Sequence, residues 1–106
     1  MKKDIILAGV GGQGLLTIAT IIAQTALKAG LNVRQPEVHG MSQRGGAVEA
    51  HLRLSSGQIY SDLIAPGTAD LIISVEPMEA LRHLDSLSPT GIIISNAKPK
   101  IGRAHV

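Results

Sequence analysis

The sequence predicts an α/β protein of Rossmann-like type: a mostly parallel sheet with flanking helices and a hairpin at 47–61. Three observations point there. A short apolar run, Ile5 to Ala8, meets the glycine-rich turn Gly9-Val10-Gly11-Gly12-Gln13-Gly14, and a helical pattern follows at once. Hydrophobic residues make up 44% of the chain but aromatics only 1%, so the core must be Ile, Leu, Val and Ala. Buried β-branched runs of that kind suit parallel strands covered by helices. Finally, 106 residues support one domain with a modest core.

The elements follow in order. Asp4 to Ala8 reads as a buried strand. From Leu15 the polar residues Thr17, Thr20, Gln24 and Lys28 step by three, four and four, which draws one polar stripe along an otherwise apolar helix. Lys28 favours the helix dipole in the last turn, and Gly30 is placed to cap it. Leu31 to Gln35 is a second strand, stopped by Pro36 and completing a β-α-β unit. Residues 37–46 are dense in polar groups and glycine and read as a loop. Ala47 to Leu54 alternates, with Val48, Ala50, Leu52 and Leu54 on one face and Glu49, His51 and Arg53 on the other. Ser55-Ser56-Gly57 turns the chain, and Gln58 to Ser61 is expected to return as the hairpin partner. Leu71 to Val75 is a buried strand. A helix starts with Pro77 in its first position and runs to about Leu84, and Pro89 to Gly91 leads into the strand Ile92-Ile93-Ile94.

Composition excludes several functions. The net charge is +2, and no basic stripe with interleaved aromatics appears, so no nucleic-acid partner is expected. The chain has no cysteine, which removes disulfides, thiolate nucleophiles and cysteine-ligated iron–sulfur or zinc sites. The histidines at 39, 51, 83 and 105 have no ligand spacing, and no metal site is read. The start carries no signal-peptide pattern, and the polar stripe argues against a membrane span; a cytoplasmic protein is expected. Ile101 to Val106 continues no pattern and reads as a non-biological tail on a truncated frame.

Two motifs carry the functional reading. Gly9, Gly11 and Gly14 match the dinucleotide fingerprint: Gly9 for the tight turn, Gly11 for a backbone approach to phosphate, and Gly14 for close helix–strand packing. With Gly12 and Gln13 they form a candidate phosphate or ligand site at a helix N-terminus, against the plainer reading of a turn that only packs. The acidic residue the fingerprint asks for, Glu37, follows Pro36 and already belongs to the loop. The second motif is Glu37 to Gly46, which gathers His39, Ser42, Gln43, Arg44, Gly45 and Gly46. Arg44 can grip a carboxylate or phosphate with two hydrogen bonds. The loop is equally suited to satisfying a partner's backbone, and no residue is read as catalytic. A free-standing NAD(P)- or nucleotide-binding regulatory module is the alternative that the glycine turn alone supports.

Together the segments at 9–14 and 37–46, with Ser74-Val75-Glu76-Pro77-Met78-Glu79-Ala80-Leu81, resemble the gamma-type domain of the 2-oxoacid:ferredoxin oxidoreductases. The resemblance spans residues 4 to about 98, with residues 1–100 as the N-terminal part of that domain. The form His39-Gly40-Met41-Ser42-Gln43-Arg44-Gly45-Gly46 is similar to the indolepyruvate type. The resemblance implies oxidative decarboxylation of an arylpyruvate to its acyl-coenzyme A, with electrons passed to ferredoxin. It implies thiamine diphosphate, Mg²⁺ and 4Fe-4S clusters on a partner alpha subunit, no cofactor in this chain, and coenzyme A at the interface. The chain alone is then inactive, with Arg44 and its neighbours at the subunit interface or the path of substrate access.

Overall fold

The computed structural model describes residues 1–10, 13–35, 41–44, 47–61, 63–75 and 77–95. Strand β1 (Lys2–Val10) is the centre of the sheet, and Asp4 through Gly9 are all buried. Helix α1 (Gln13–Lys28) follows, then β2 (Asn32–Arg34), β3 (Met41–Arg44), β4 (Ala47–Ser55), β5 (Ala69–Ser74), α2 (Pro77–Arg82), a 3-10 turn at Leu84–Ser86, and β6 (Leu87–Ser95). The strand order is β2-β4-β1-β5-β6, with β3 on β4 as well.

The Rossmann-like α/β class is observed, but the sheet is mixed rather than mostly parallel. β5 runs parallel to β1 and β6 parallel to β5, whereas β4 is antiparallel to β1, β2 and β3. The cause is β4, which inserts between β1 and β2. Its Ala50, Leu52 and Leu54 are buried beside Ile5 and Leu7 under Leu15, Ala19 and Ala26 of α1. Each fully buried Leu or Ile contributes on the order of 1.5–3 kcal/mol, so the alternating strand gains most in the middle of the sheet.

The expected hairpin at 47–61 does not form. Residues 58–61 are not a strand, because the edge they would need is already taken: Asn32 pairs with Ser55 and Arg34 with Arg53. The hairpin forms instead with the segment before β4, farther along the edge that β2 takes at 53–55. Residues 41–44, expected in a loop, are β3, and Arg44 stands opposite Ala47 with two residues between the strands.

The first helix matches its pattern closely. Thr17, Thr20, Gln24 and Lys28 are exposed. Gly30 takes φ +83°. Its N–H donates to Leu27 O at 3.0 Å, and that of Leu31 to Ala26 O at 3.0 Å, the paired bonds of a Schellman stop. The opposite face of the sheet buries Ile6, Ile64, Ala69 and Ile72. The last strand is longer than its Ile92–Ile94 kernel. It starts at Leu87, and the register shifts between Ala69 and Leu71 to absorb residues 88–91. A Cβ on Gly91 would sit 2.9 Å from the Ala69 carbonyl oxygen, so this irregularity requires glycine.

Candidate functional site

The three segments singled out in the sequence meet at one place, the carboxyl end of β1. Gly9 is the last residue but one of that strand. The N–H of Val75 donates to Ala8 O at 3.1 Å, which draws the end of β5 in beside it. A Cβ on Gly9 would fall 2.5 Å from Val75 Cγ2. Gly9 is therefore needed for a close approach between the first and third segments. Gly14 is not: it lies exposed in α1, and a Cβ there would meet no atom within 4 Å. The close packing expected of Gly14 thus belongs to Gly9, because α1 touches the sheet through Leu15 and not through the residue before it. Gln13 is the first residue of α1, while Gly11 and Gly12 lie outside the described residues.

The polar segment reaches the same end through its strand. Arg44 is opposite Ala47, which is opposite Val10; Ser42 is opposite Glu49, which is opposite Ala8; Gln43 is opposite Val48. Arg44 is thus two strands from the start of the glycine turn. His39, Gly45 and Gly46 lie outside the described residues, as do Glu37 and the tail at 101–106.

Next to these rows stands a cluster that sequence reasoning missed. Glu49 Oε2 lies 3.1 Å from His51 Nε2 and 3.5 Å from His83 Nδ1. All three side chains are partly buried. The hydrogen bond from His51 holds the Glu49 carboxyl below the ordinary carboxylate range; burial opposes this, and the charges of His83 and His51 reinforce it. His51 Nδ1 is buried and has no hydrogen-bond partner among the described residues. Alternation along β4 placed Glu49 and His51 on one face, but His83 arrives from beyond α2, and no local spacing announces it.

A second charged cluster sits at the other end of the same face. Asp4 is fully buried, and its carboxylate accepts from Arg53 Nε at 2.9 Å and Lys2 Nζ at 2.7 Å. Arg53 Nη1 also donates to the carbonyls of Ser61 at 3.0 Å and Leu63 at 3.1 Å. This explains why 58–61 form no strand: the carbonyls of Ser61 and Leu63 serve a guanidinium rather than a strand ladder. Reading Asp4 as the start of a buried strand was right, but its charge needed the partner 49 residues away.

No group of three or more His, Cys, Asp or Glu able to hold a metal occurs among the described residues. Among them, too, no helix is long and apolar enough to cross a membrane.

Comparison with known proteins fits this arrangement. The profile of the pyruvate ferredoxin/flavodoxin oxidoreductase family matches residues 4–105. The chain is 48% identical over 100 residues to indolepyruvate oxidoreductase subunit IorB of Pyrococcus horikoshii, covering 93% of this chain and 49% of that protein. It is 48% identical over 98 residues to the subunit of the same name from Archaeoglobus fulgidus, covering 92% and 48%. Among solved structures it resembles the 2-oxoglutarate:ferredoxin oxidoreductase of Magnetococcus marinus with 2-oxoglutarate, coenzyme A and succinyl-CoA bound. The TM-score there is 0.74 at 19% identity, over 97% of this chain and 18% of that one, a likeness of fold. The chain spans about half the length of the curated relatives it matches. With nearly all of its length matched and its three motifs gathered at one end of the sheet, the chain belongs to the pyruvate ferredoxin/flavodoxin oxidoreductase family.

Proposed function

We propose that the chain is part of the beta subunit of a cytoplasmic, indolepyruvate-type 2-oxoacid:ferredoxin oxidoreductase. In that reading an arylpyruvate loses CO₂, its acyl group is transferred to coenzyme A, and two electrons pass to ferredoxin. The observation that carries the proposal is the 48% identity to indolepyruvate oxidoreductase subunits over more than nine-tenths of the chain.

The chain's own chemistry supports a role as an accessory subunit. Cluster ligation needs thiolates, and the sequence has none. In this reading thiamine diphosphate, Mg²⁺ and the 4Fe-4S clusters belong to the alpha partner, and no step through them is assigned to residues of this chain. What this chain offers is a shaped end of a sheet. Gly9, Gly11, Gly12, Gln13 and Gly14 would hold a phosphate-bearing ligand such as coenzyme A, since the first amides of a 16-residue helix have no intrahelical acceptor. His39, Ser42, Gln43, Arg44, Gly45 and Gly46 would face the partner or the path of the substrate, with Arg44 as the anion-gripping group. The alternative of a free-standing dinucleotide module loses support at Gly14, where the close helix packing of that fingerprint is missing.

The test is to co-express the full-length protein with its alpha partner and follow arylpyruvate-dependent reduction of a viologen dye. Co-purification and coenzyme A-dependent turnover are expected only with both subunits present. A full-length chain that neither co-purifies nor supports that turnover would sink the proposal.

A further inference from the structure

We infer that Glu49 is a positioning residue, tying the Ser42–Arg44 strand to the segment that leaves α2 through the imidazole of His83. Helix α2 itself packs on β1, β5 and β6. Glu49 is on β4, directly opposite Ser42 of β3. Its Oε2 lies 3.5 Å from His83 Nδ1, and His51 Nε2 is 3.1 Å from the same oxygen. The far end of this tie is fixed as well. The N–H of His83 donates to Ala80 O at 3.1 Å, and the carbonyl of His83 accepts from the N–H of Ser86 at 3.0 Å. Ala80, a residue of α2, is buried. One carboxylate oxygen is thus shared by two imidazoles borne on different elements, so a shift of the hairpin is transmitted to the turn after α2, and the reverse.

The arrangement has a direction. His51 and Glu49 lie two residues apart on one strand and hold each other whatever α2 does. The contact with His83 is the link between elements, and removing it separates the two without deleting any group of β3. A local structural role for His83 would loosen only its own turn. A coupling role loosens residues 41–44 on another element.

The experiment uses the full-length chain assembled with its alpha partner and reads amide hydrogen exchange and steady-state kinetics together. In His83→Ala, exchange at 41–44 is expected to quicken at least threefold. The KM for arylpyruvate should rise about fivefold while kcat stays within twofold. His83→Asn places an amide N–H donor near the Nδ1 position and is expected to restore both. Glu49→Ala should repeat the exchange result. Wild-type exchange at 41–44 in both alanine variants overturns the inference, whatever KM does. If the alanine variants do not fold, His83→Leu, which fills similar space without a polar group, replaces them, and wild-type exchange at 41–44 in that variant also overturns it. The assembly and the KM arm rest on the function proposed above; the exchange arm is also read on the full-length chain by itself. A wild-type complex without arylpyruvate turnover, but with the expected exchange changes, removes that function and leaves the coupling standing.

Discussion

Strand β4 carries charge at both ends of one face, and the two ends are built differently. At the amino end of the sheet Arg53 and Lys2 close around Asp4, whose side chain is 0% exposed. At the carboxyl end Glu49 is 33% exposed and shared by two imidazoles. The first cluster holds a buried charge and at the same time pins the carbonyls of Ser61 and Leu63. The second is partly open to solvent and lies at the end of the sheet where the family-like segments meet. The difference separates a group that the fold requires from a group that the fold makes available.

The sharpest test of that separation is Arg53→Ala. It leaves Asp4 buried with only Lys2, and frees the carbonyls of Ser61 and Leu63. Breaking a buried pair on one side costs about 3–5 kcal/mol. A urea titration of the full-length protein should show a loss of that order for Arg53→Ala and a much smaller one for Glu49→Ala. Equal losses would break the comparison, because both clusters would then be structural.

The two glycines at the carboxyl end give the next test. Gly9→Ala places a methyl carbon 2.5 Å from Val75 Cγ2, and overpacking of that kind costs about 1–3 kcal/mol. Gly14→Ala adds a methyl group to open space inside a helix, where alanine is favoured by up to about 1 kcal/mol. Thermal unfolding should therefore shift down for Gly9→Ala and up for Gly14→Ala. If the turn also holds a phosphate, Gly14→Ala keeps its gain in stability while coenzyme A affinity, read by calorimetry on the assembled complex, falls.

These contrasts also mark what could be read from sequence. Periodicity predicted the exposed stripe of α1, its stop at Gly30 and the two-faced β4, because each is set by neighbours within a few residues. It misplaced the hairpin because polar density at 41–44 outweighed the Gly45-Gly46 pair, which is itself a two-residue hairpin signal between strands. It missed both charged clusters because Asp4 and Arg53, or Glu49 and His83, become neighbours only when β4 inserts beside β1. Strand order is a long-range choice. Alternation shows which face a residue takes, not which strand lies next to it.

The smallest expected effect concerns protons at Glu49. Its carboxyl is held below the ordinary value of 4.5, chiefly by the hydrogen bond from His51. A carboxyl with a depressed folded value adds stability above its unfolded value and loses it as pH falls through the folded one. The wild-type full-length protein should therefore lose this contribution below about pH 4.5, and Glu49→Gln should lack that part of the acid slope. With a third of the side chain exposed, solvent screens the interaction, and a difference under about 1 kcal/mol is expected at neutral pH. Raising the salt concentration should shrink it further. Asp4, closed off from water, should keep its grip on Arg53 at the same salt. A salt response as large at Arg53→Ala as at Glu49→Gln would erase the distinction between the two ends of β4.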